Sequence, residues 1–233
     1  NDFWTRAAVL HDWYVSSAGD NTYATNWSTA FTSVQEVLGS TASNDMVYLR
    51  GERFALAQQM VWSNSYVTVR GGFEGTGLPG TRDPVAWPTI LTRTAGTVHR
   101  IMYVSGVTGG RLEGVTVTNG YAYVGSAPTH PGASGGGIFI KNAPGFLMDN
   151  CRILRNRIYH AIPNGGEIFG GGIYSEGSVI TFTNCIVASN RAEVVDTYNV
   201  QSASGGGIYV ASGTSYLRNC MIFDNLADGD TQC

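Results

Sequence analysis

The stretch SGGGIYVASGTSYLRNCMIFDN, residues 204–225, holds three consecutive glycines, then an Asn-Cys pair, then a closing asparagine, with almost no charge between them. The same order occurs more than once. GGGI units begin at Gly135, Gly170 and Gly205, and Asn-Cys pairs stand at Asn150-Cys151, Asn184-Cys185 and Asn219-Cys220. Each is closed by a second asparagine, at Asn156, Asn190 and Asn225, so the period is 34 to 35 residues. A degenerate copy, IMYVSGVTGGRLEGVTVTNGYA at 101–122, puts Gly114 on the first asparagine, Val115 on the cysteine and Gly120 on the second asparagine.

These exchanges carry physical content. One column reads Gly114, Asn150, Asn184, Asn219, and another reads Gly120, Asn156, Asn190, Asn225. Glycine and asparagine enter the left-handed region most readily, so both columns are expected to be tight bends with positive φ. The column of Cys151, Cys185 and Cys220 tolerates Val115, so it asks for a small apolar group facing inward. Stacked rungs bring such cysteines within disulfide range, but their side chains run parallel, so reduced thiols are expected. Between the bends the apolar residues alternate (Cys151 and Ile153, Cys185 and Val187, Cys220 and Ile222), which is the period of a strand. Short strands joined by bends at a fixed period predict an all-β solenoid whose rungs stack about 4.8 Å apart. A three-sided rung needs fewer residues than this period supplies. The surplus, at 121–134, 157–169 and 191–204, is expected to leave as long loops from one corner.

These repeats resemble the right-handed parallel β-helix superfamily, and more narrowly bacterial secreted β-helix proteins and polymorphic outer-membrane proteins with GGA-I and F-x-x-N repeats. Here the motifs are GGGI followed by Ile153-x-x-Asn156, Val187-x-x-Asn190 and Ile222-x-x-Asn225, with glycine for alanine and aliphatics for phenylalanine. The N-terminal half resembles the opening of such proteins. WYVSSAGDNTYATNWSTAFTSVQEVL (13–38) looks like a first strand and a cap, with Phe31, Val34, Val37 and Leu38 at helical spacing and Ser28 or Thr29 as N-cap. DMVYLRGERF (45–54) and SYVTVRGGFEGT (65–76) read as the first rungs, and RDPVAWPTIL (82–91) as a loop and strand. The chain is thus read as one β-helix domain, 1–233. Residues 1–12 are an extension, 13–44 the first strand and N-terminal cap, 45–100 the first rungs and 101–233 the Gly/Asn rungs. The resemblance implies a right-handed parallel β-helix; it does not select among the lyases, hydrolases, adhesins and structural proteins built on that scaffold.

Composition narrows the classes. Only 13% of the 233 residues are charged and the net charge is -3, so no nucleic-acid surface is expected. Apolar runs stop at four or five residues, so no transmembrane segment is expected. Low charge with many Gly, Ser, Thr, Asn and Tyr leans towards a secreted or cell-surface location. No basic start and apolar core mark a signal peptide in NDFWTRAAVLHD.

Glycan chemistry on such a fold needs paired carboxylates, or carboxylates holding calcium. Glu113 and Asp149 are neighbours one rung apart and form the best acid pair, with Arg111 or Arg152 nearby. Their column continues as Thr183 and Arg218, which reads as a solvated polar column rather than a catalytic one. His99, His130 and His160 are scattered, and no His-x-x-x-His or Cys-x-x-Cys spacing supports a metal; no cofactor is expected. The GGG runs lack the Lys-Ser and helix of a phosphate cradle. An aromatic column, Tyr103, Phe139, Tyr174 and Tyr209, is expected to face outward, as a sugar-binding strip or as a self-stacked ladder under the loops. Phe3, Trp4, Val9 and Leu10 suit docking on a neighbour or on the solenoid itself, and Cys233 stands outside the repeat. The chain stops where a fourth inserted loop should begin, and no C-terminal cap is evident.

The reading is therefore a non-enzymatic, secreted or surface-bound structural or adhesive solenoid, with possible self-association through its ends. The alternatives are a polysaccharide lyase or glycoside hydrolase, or a carbohydrate-binding module.

Overall fold

The computed structural model, which describes residues 10–124, 134–160, 167–194 and 202–229, is a stack of parallel strands. A seven-stranded sheet comprises Asp12–Val15, Met46–Arg50, Thr68–Phe73, Arg111–Glu113, Pro144–Asp149, Ser178–Thr183 and Gly213–Arg218. A second, six-stranded sheet comprises Arg53–Leu56, Thr89–Arg93, Val115–Thr118, Arg152–Leu154, Ile186–Ala188 and Met221–Phe223. A third, five-stranded sheet comprises Met60–Trp62, Met102–Ser105, Ile138–Lys141, Ile173–Glu176 and Ile208–Val210. Each of the later rungs visits the first sheet, then the second, then the third. The inward residues form one continuous apolar column from Val15 and Leu49, through Leu112, Ile153 and Phe182, to half-covered Cys220 and Ile208.

The first corner behaves as its residues demand. Gly114, Asn150, Asn184 and Asn219 all have positive φ, between 50° and 65°. Gly114 is glycine because the place of its Cβ is filled: the Arg82 guanidinium would lie 2.5 Å away and Gly71 O 3.0 Å. The loop that begins at Arg82 thus lies directly on this corner.

The second corner is different, and corrects the expectation. Gly120, Asn156, Asn190 and Asn225 do not have positive φ; the left-handed residue is the one before each, at Asn119, Arg155, Ser189 and Asp224. The asparagines instead point inward as a ladder. The Asn156 and Asn190 side chains are fully buried. Asn190 Oδ1 accepts from Asn156 N and Asn156 Nδ2, both at 3.0 Å, and Asn225 Oδ1 accepts in the same way from Asn190 N (3.0 Å) and Nδ2 (2.9 Å). Each Nδ2 also donates to the rung before, to Val117 O, Ile153 O and Val187 O. The amide satisfies the backbone groups that a sharp turn leaves unpaired inside the coil. Gly120 ends the ladder: its N–H donates to Asn156 Oδ1 (2.9 Å), and a Cβ there would meet Gly136 O at 2.2 Å. The GGG runs serve the same corner. Gly135 turns with φ 67°, while a Cβ on Gly137 would strike the Asn156 amide at 2.7 Å.

The surplus segments do leave from this one corner, but not as bare loops. Tyr121–Val124, Arg157–His160, Arg191–Val194 and Leu226–Asp228 form a fourth parallel sheet, and Ile168–Phe169 pairs with Ala203–Ser204. Ala122, Ile158, Ile168, Ala192 and Val194 give this ridge an apolar cluster of its own.

At the N-terminal end the helix Val34–Ser40 buries Val34, Val37 and Leu38 on the first rung. Its N-cap is Ser33, whose Oγ accepts from Glu36 N, rather than Ser28 or Thr29. The backbone N–H groups of Ser28 and Thr29 are held by Asn26 Oδ1, and Phe31 stays extended, bridging Val15. Gln35 closes a sheet edge: its Oε1 accepts from Val61 N (2.6 Å) and its Nε2 donates to Val61 O (3.3 Å) on Met60–Trp62. At the other end, Met221, Ile222 and Phe223 are half exposed.

Candidate functional site

Three places carry the side chains singled out above. The first is the outer face of the seven-stranded sheet. Glu113 and Asp149 are register partners on adjacent strands there, and Glu113 is almost fully buried. Arg70 Nε lies 2.6 Å from Glu113 Oε2, and Arg111 Nη2 2.9 Å from Oε1, so both oxygens are taken. Burial alone would raise this carboxyl; the hydrogen bond and charge of Arg70, joined by Arg111, outweigh it and hold the group below the usual carboxylate range. Burial lowers the Arg82 guanidinium, against the pull of Glu113 and Asp149. Arg152 stands past the bend on the second sheet, so Arg70 and Arg82, from earlier rungs, complete this cluster in its stead. Nearer the N-terminus the same face is sealed. Trp27 packs edge-on against Tyr14 at 4.9 Å over Tyr48 and Phe73, and its Nε1 donates to Pro79 O.

The second place is the aromatic column. Tyr103, Phe139, Tyr174 and Tyr209 are aligned residue for residue across the third sheet. Successive ring centroids lie 5.3, 4.8 and 5.8 Å apart. The strip is not open: Phe139 is buried, Phe169 lies 4.4 Å from Tyr209, and the Arg100 guanidinium sits 5.0 Å from the Phe139 ring. Burial pushes Arg100 down to about 10. Tyr103, Tyr174 and Tyr209 keep partial exposure.

The third place was not singled out beforehand. On the outer face of the fourth sheet, Tyr123 and Tyr159 stack at 6.0 Å, the Arg157 guanidinium lies 4.4 Å from the Tyr159 ring, and Glu193 is shared between Arg157 and Arg191. Its signal in the sequence is faint: alternate aromatics in YAY (121–123), and Tyr159, at the head of segments read as loops.

The other side chains singled out in the sequence are structural in character. Cys151, Cys185 and Cys220 are free thiols stacked one above another. Each Sγ donates to a carbonyl of the rung before, Leu112, Met148 and Phe182 respectively, and burial pushes the Cys151 thiol well up. His99 is tied to the carbonyls of Arg100 and Leu56, and His160 is buried. The backbone N–H groups of Gly136 and Gly137 are bonded to the next rung, not offered to an anion. Leu10 is exposed, whereas Phe3, Trp4, Val9, His130 and Cys233 lie outside the described residues. Among the described residues no cluster of metal ligands occurs, and no helix is long and apolar enough to cross a membrane.

A family described as right-handed β-helix region matches residues 97–231. No curated protein matches the chain. Among solved structures, a mutant pectin methylesterase in complex with a hexasaccharide is similar at 10% identity and a TM-score of 0.49, over 92% of this chain and 66% of that one. The chain therefore spans less than two thirds of that enzyme's length. Pectin methylesterase PemA from Erwinia chrysanthemi is similar at 11% identity and 0.48, over 92% and 67%. The pectin methylesterase of Aspergillus niger gives 12% and 0.41, over 97% and 92%. Activity does not follow from likeness at this level.

Proposed function

The chain belongs to the right-handed β-helix family, and from that premise we propose that it is a non-enzymatic structural or adhesive solenoid, secreted or held at a cell surface, that carries polysaccharide on its outer faces. One observation carries the reading. The buried carboxylate on the broad sheet has both oxygens committed to Arg70 and Arg111. An acid so held has no proton to give at neutral pH, and a base so held is weakened because each oxygen is already paired with a guanidinium. Glu113 serves the sheet as the counter-charge of two arginines. The partly exposed tyrosines of the third and fourth sheets supply apolar ring surface of the kind that sugar rings stack on. In this reading copies associate end to end along the solenoid axis.

The test is a panel of uronic-acid and neutral polysaccharides, assayed for binding and for products together. Binding without reducing ends, unsaturated sugars or released methanol is the expected result. Product formation that disappears in Asp149→Asn would overturn the reading in favour of a glycan-active enzyme. A sedimentation series across protein concentration tests the association: the expected larger species is lost in Ile222→Lys, and a monomer at every concentration removes that part.

A further inference from the structure

We infer that the corner between the second and fourth sheets is a binding site for a tetrahedral oxyanion, a sulfate or phosphate monoester. The site is a cavity of about 380 Å³ lined by Arg93, Asn119, Gly120, Tyr121, Arg155 and Arg157. Three arginines thus line one cavity with no acidic residue in its lining.

The fold explains how they converge. Thr92 pairs with Thr118, and Leu154 with Thr118 on the other side. The next residues, Arg93, Asn119 and Arg155, therefore stack as a column at the corner. Two rungs separate the arginines, about 10 Å between their Cα atoms, with the Asn119 amide between them. Arg157 follows two residues after Arg155, on the same side as Tyr121. The Tyr121 ring lies between the other two cations, its centroid 5.4 Å from the Arg93 guanidinium and 5.7 Å from that of Arg157.

The charges are unevenly balanced. Arg157 shares Glu193 with Arg191. Arg93 Nη1 donates to Thr97 O at 2.5 Å, but its Nε is buried with no hydrogen-bond partner. The Arg155 side chain makes no ion pair among the described residues, and this arginine occupies a left-handed corner, φ 54°, that its equivalents fill with Asn119, Ser189 and Asp224. An arginine is no easier to hold there than these shorter residues.

Ligand class follows from donor geometry. One guanidinium fork satisfies a planar carboxylate. Guanidinium groups converging from two rungs, Arg93 on one and Arg155 and Arg157 on the other, suit a group with three terminal oxygens. Tyr123, two residues along the same strand and on the same face as Tyr121, is 45% exposed where the carrier of such an ester would leave the cavity.

Calorimetry on the intact chain tests this, with inorganic sulfate, a sugar 6-phosphate, a sulfated galactan, polygalacturonate and neutral dextran as probes, each at low and high salt. The expected result is salt-sensitive binding of the sulfated galactan or the sugar phosphate. It should weaken at least tenfold in Arg155→Asn and in Arg93→Gln, and stay unchanged in Arg152→Gln. Arg155→Asn is the informative variant, because asparagine already holds this corner one rung away and the fold is retained. Ester binding indifferent to both pocket variants overturns the inference, and so does affinity for inorganic sulfate with none for either ester. Dextran binding untouched by the pocket variants, with no ester bound, leaves the polysaccharide reading standing and removes this one. Pocket-dependent binding of the sugar phosphate with no polysaccharide bound does the reverse.

Discussion

At the scale of the residue, two columns of asparagine that look alike in sequence do opposite work. Asn184 is a left-handed corner whose side chain is exposed; Asn190 is a buried rung of an amide ladder. Asn184→Gly should therefore change stability by less than about 1 kcal/mol, because glycine enters that region freely. Asn190→Ala should cost about 3 kcal/mol, since it strands Asn156 N and Ile153 O together and takes one of two donors from Asn225 Oδ1. Urea unfolding of the two variants side by side checks this, and equal effects would refute the ladder's role. Interchange of asparagine with glycine was legible as a corner signal, but at the second corner it marks the ladder and its end. Composition cannot separate a positive φ from a buried amide, because asparagine serves both. Glu113 has its own signature. Its folded-state carboxyl is held below the ordinary value, so the stabilisation is complete above about pH 4.3 and is lost as pH falls through the lower folded value. Glu113→Gln should cost about 3 kcal/mol at pH 7, with the gap to the parent narrowing as pH falls below the ordinary carboxylate value. Urea midpoints at several pH values read it directly; a gap independent of pH would mean that the charge is not the cause.

At the scale of the element, the strands of the repeat were readable because inward positions alternate and the corners recur. The cap helix was readable too, but it starts later than its apolar spacing suggests: Asn26, not the helix, claims Ser28 and Thr29. The fourth sheet was hidden. Its strands Tyr121–Val124 and Arg157–His160 are short and lie in segments that vary between repeats, so no period exposes them. The arginine pocket was hidden for a related reason. Arg93 precedes the regular repeat, and Arg155 and Arg157 follow two rungs later, in columns where neighbours are Asn119 and Ser189 or Tyr121 and Arg191. Only the stacking register brings them together. Gln35 shows how an element's edge is managed. Its amide imitates one residue of a missing strand on Met60–Trp62. Gln35→Ala should cost about 1 kcal/mol in urea unfolding. It should also raise light scattering on concentration, because it opens a strand edge to pairing. Unchanged scattering would show that the helix alone protects that edge.

At the scale of the whole molecule, each rung is held chiefly by the rungs above and below it, so stability should be set by neighbours and not by sequence distance. One inward column displays the consequence. Ile153, Val187 and Ile222 are aligned on successive strands of the second sheet, yet the first two are buried and Ile222 is 50% exposed. Truncating Ile153 to alanine opens a cavity between two covered rungs and should cost about 3 to 4 kcal/mol. The same change at Ile222 removes a side chain that water already reaches, and should cost about 1 kcal/mol. Hydrogen exchange should follow the same gradient. Amides of Met221–Phe223 and Leu226–Asp228 should exchange first by local opening, while those of Val115–Thr118 and Arg152–Leu154 should need opening on the scale of the whole stack. A ligand or second copy bound over the last rung should slow its exchange while leaving the middle rungs unchanged. Uniform protection along the axis in the isolated chain would mean that the stack opens as one cooperative unit, and that exposure of the last rung has no energetic consequence.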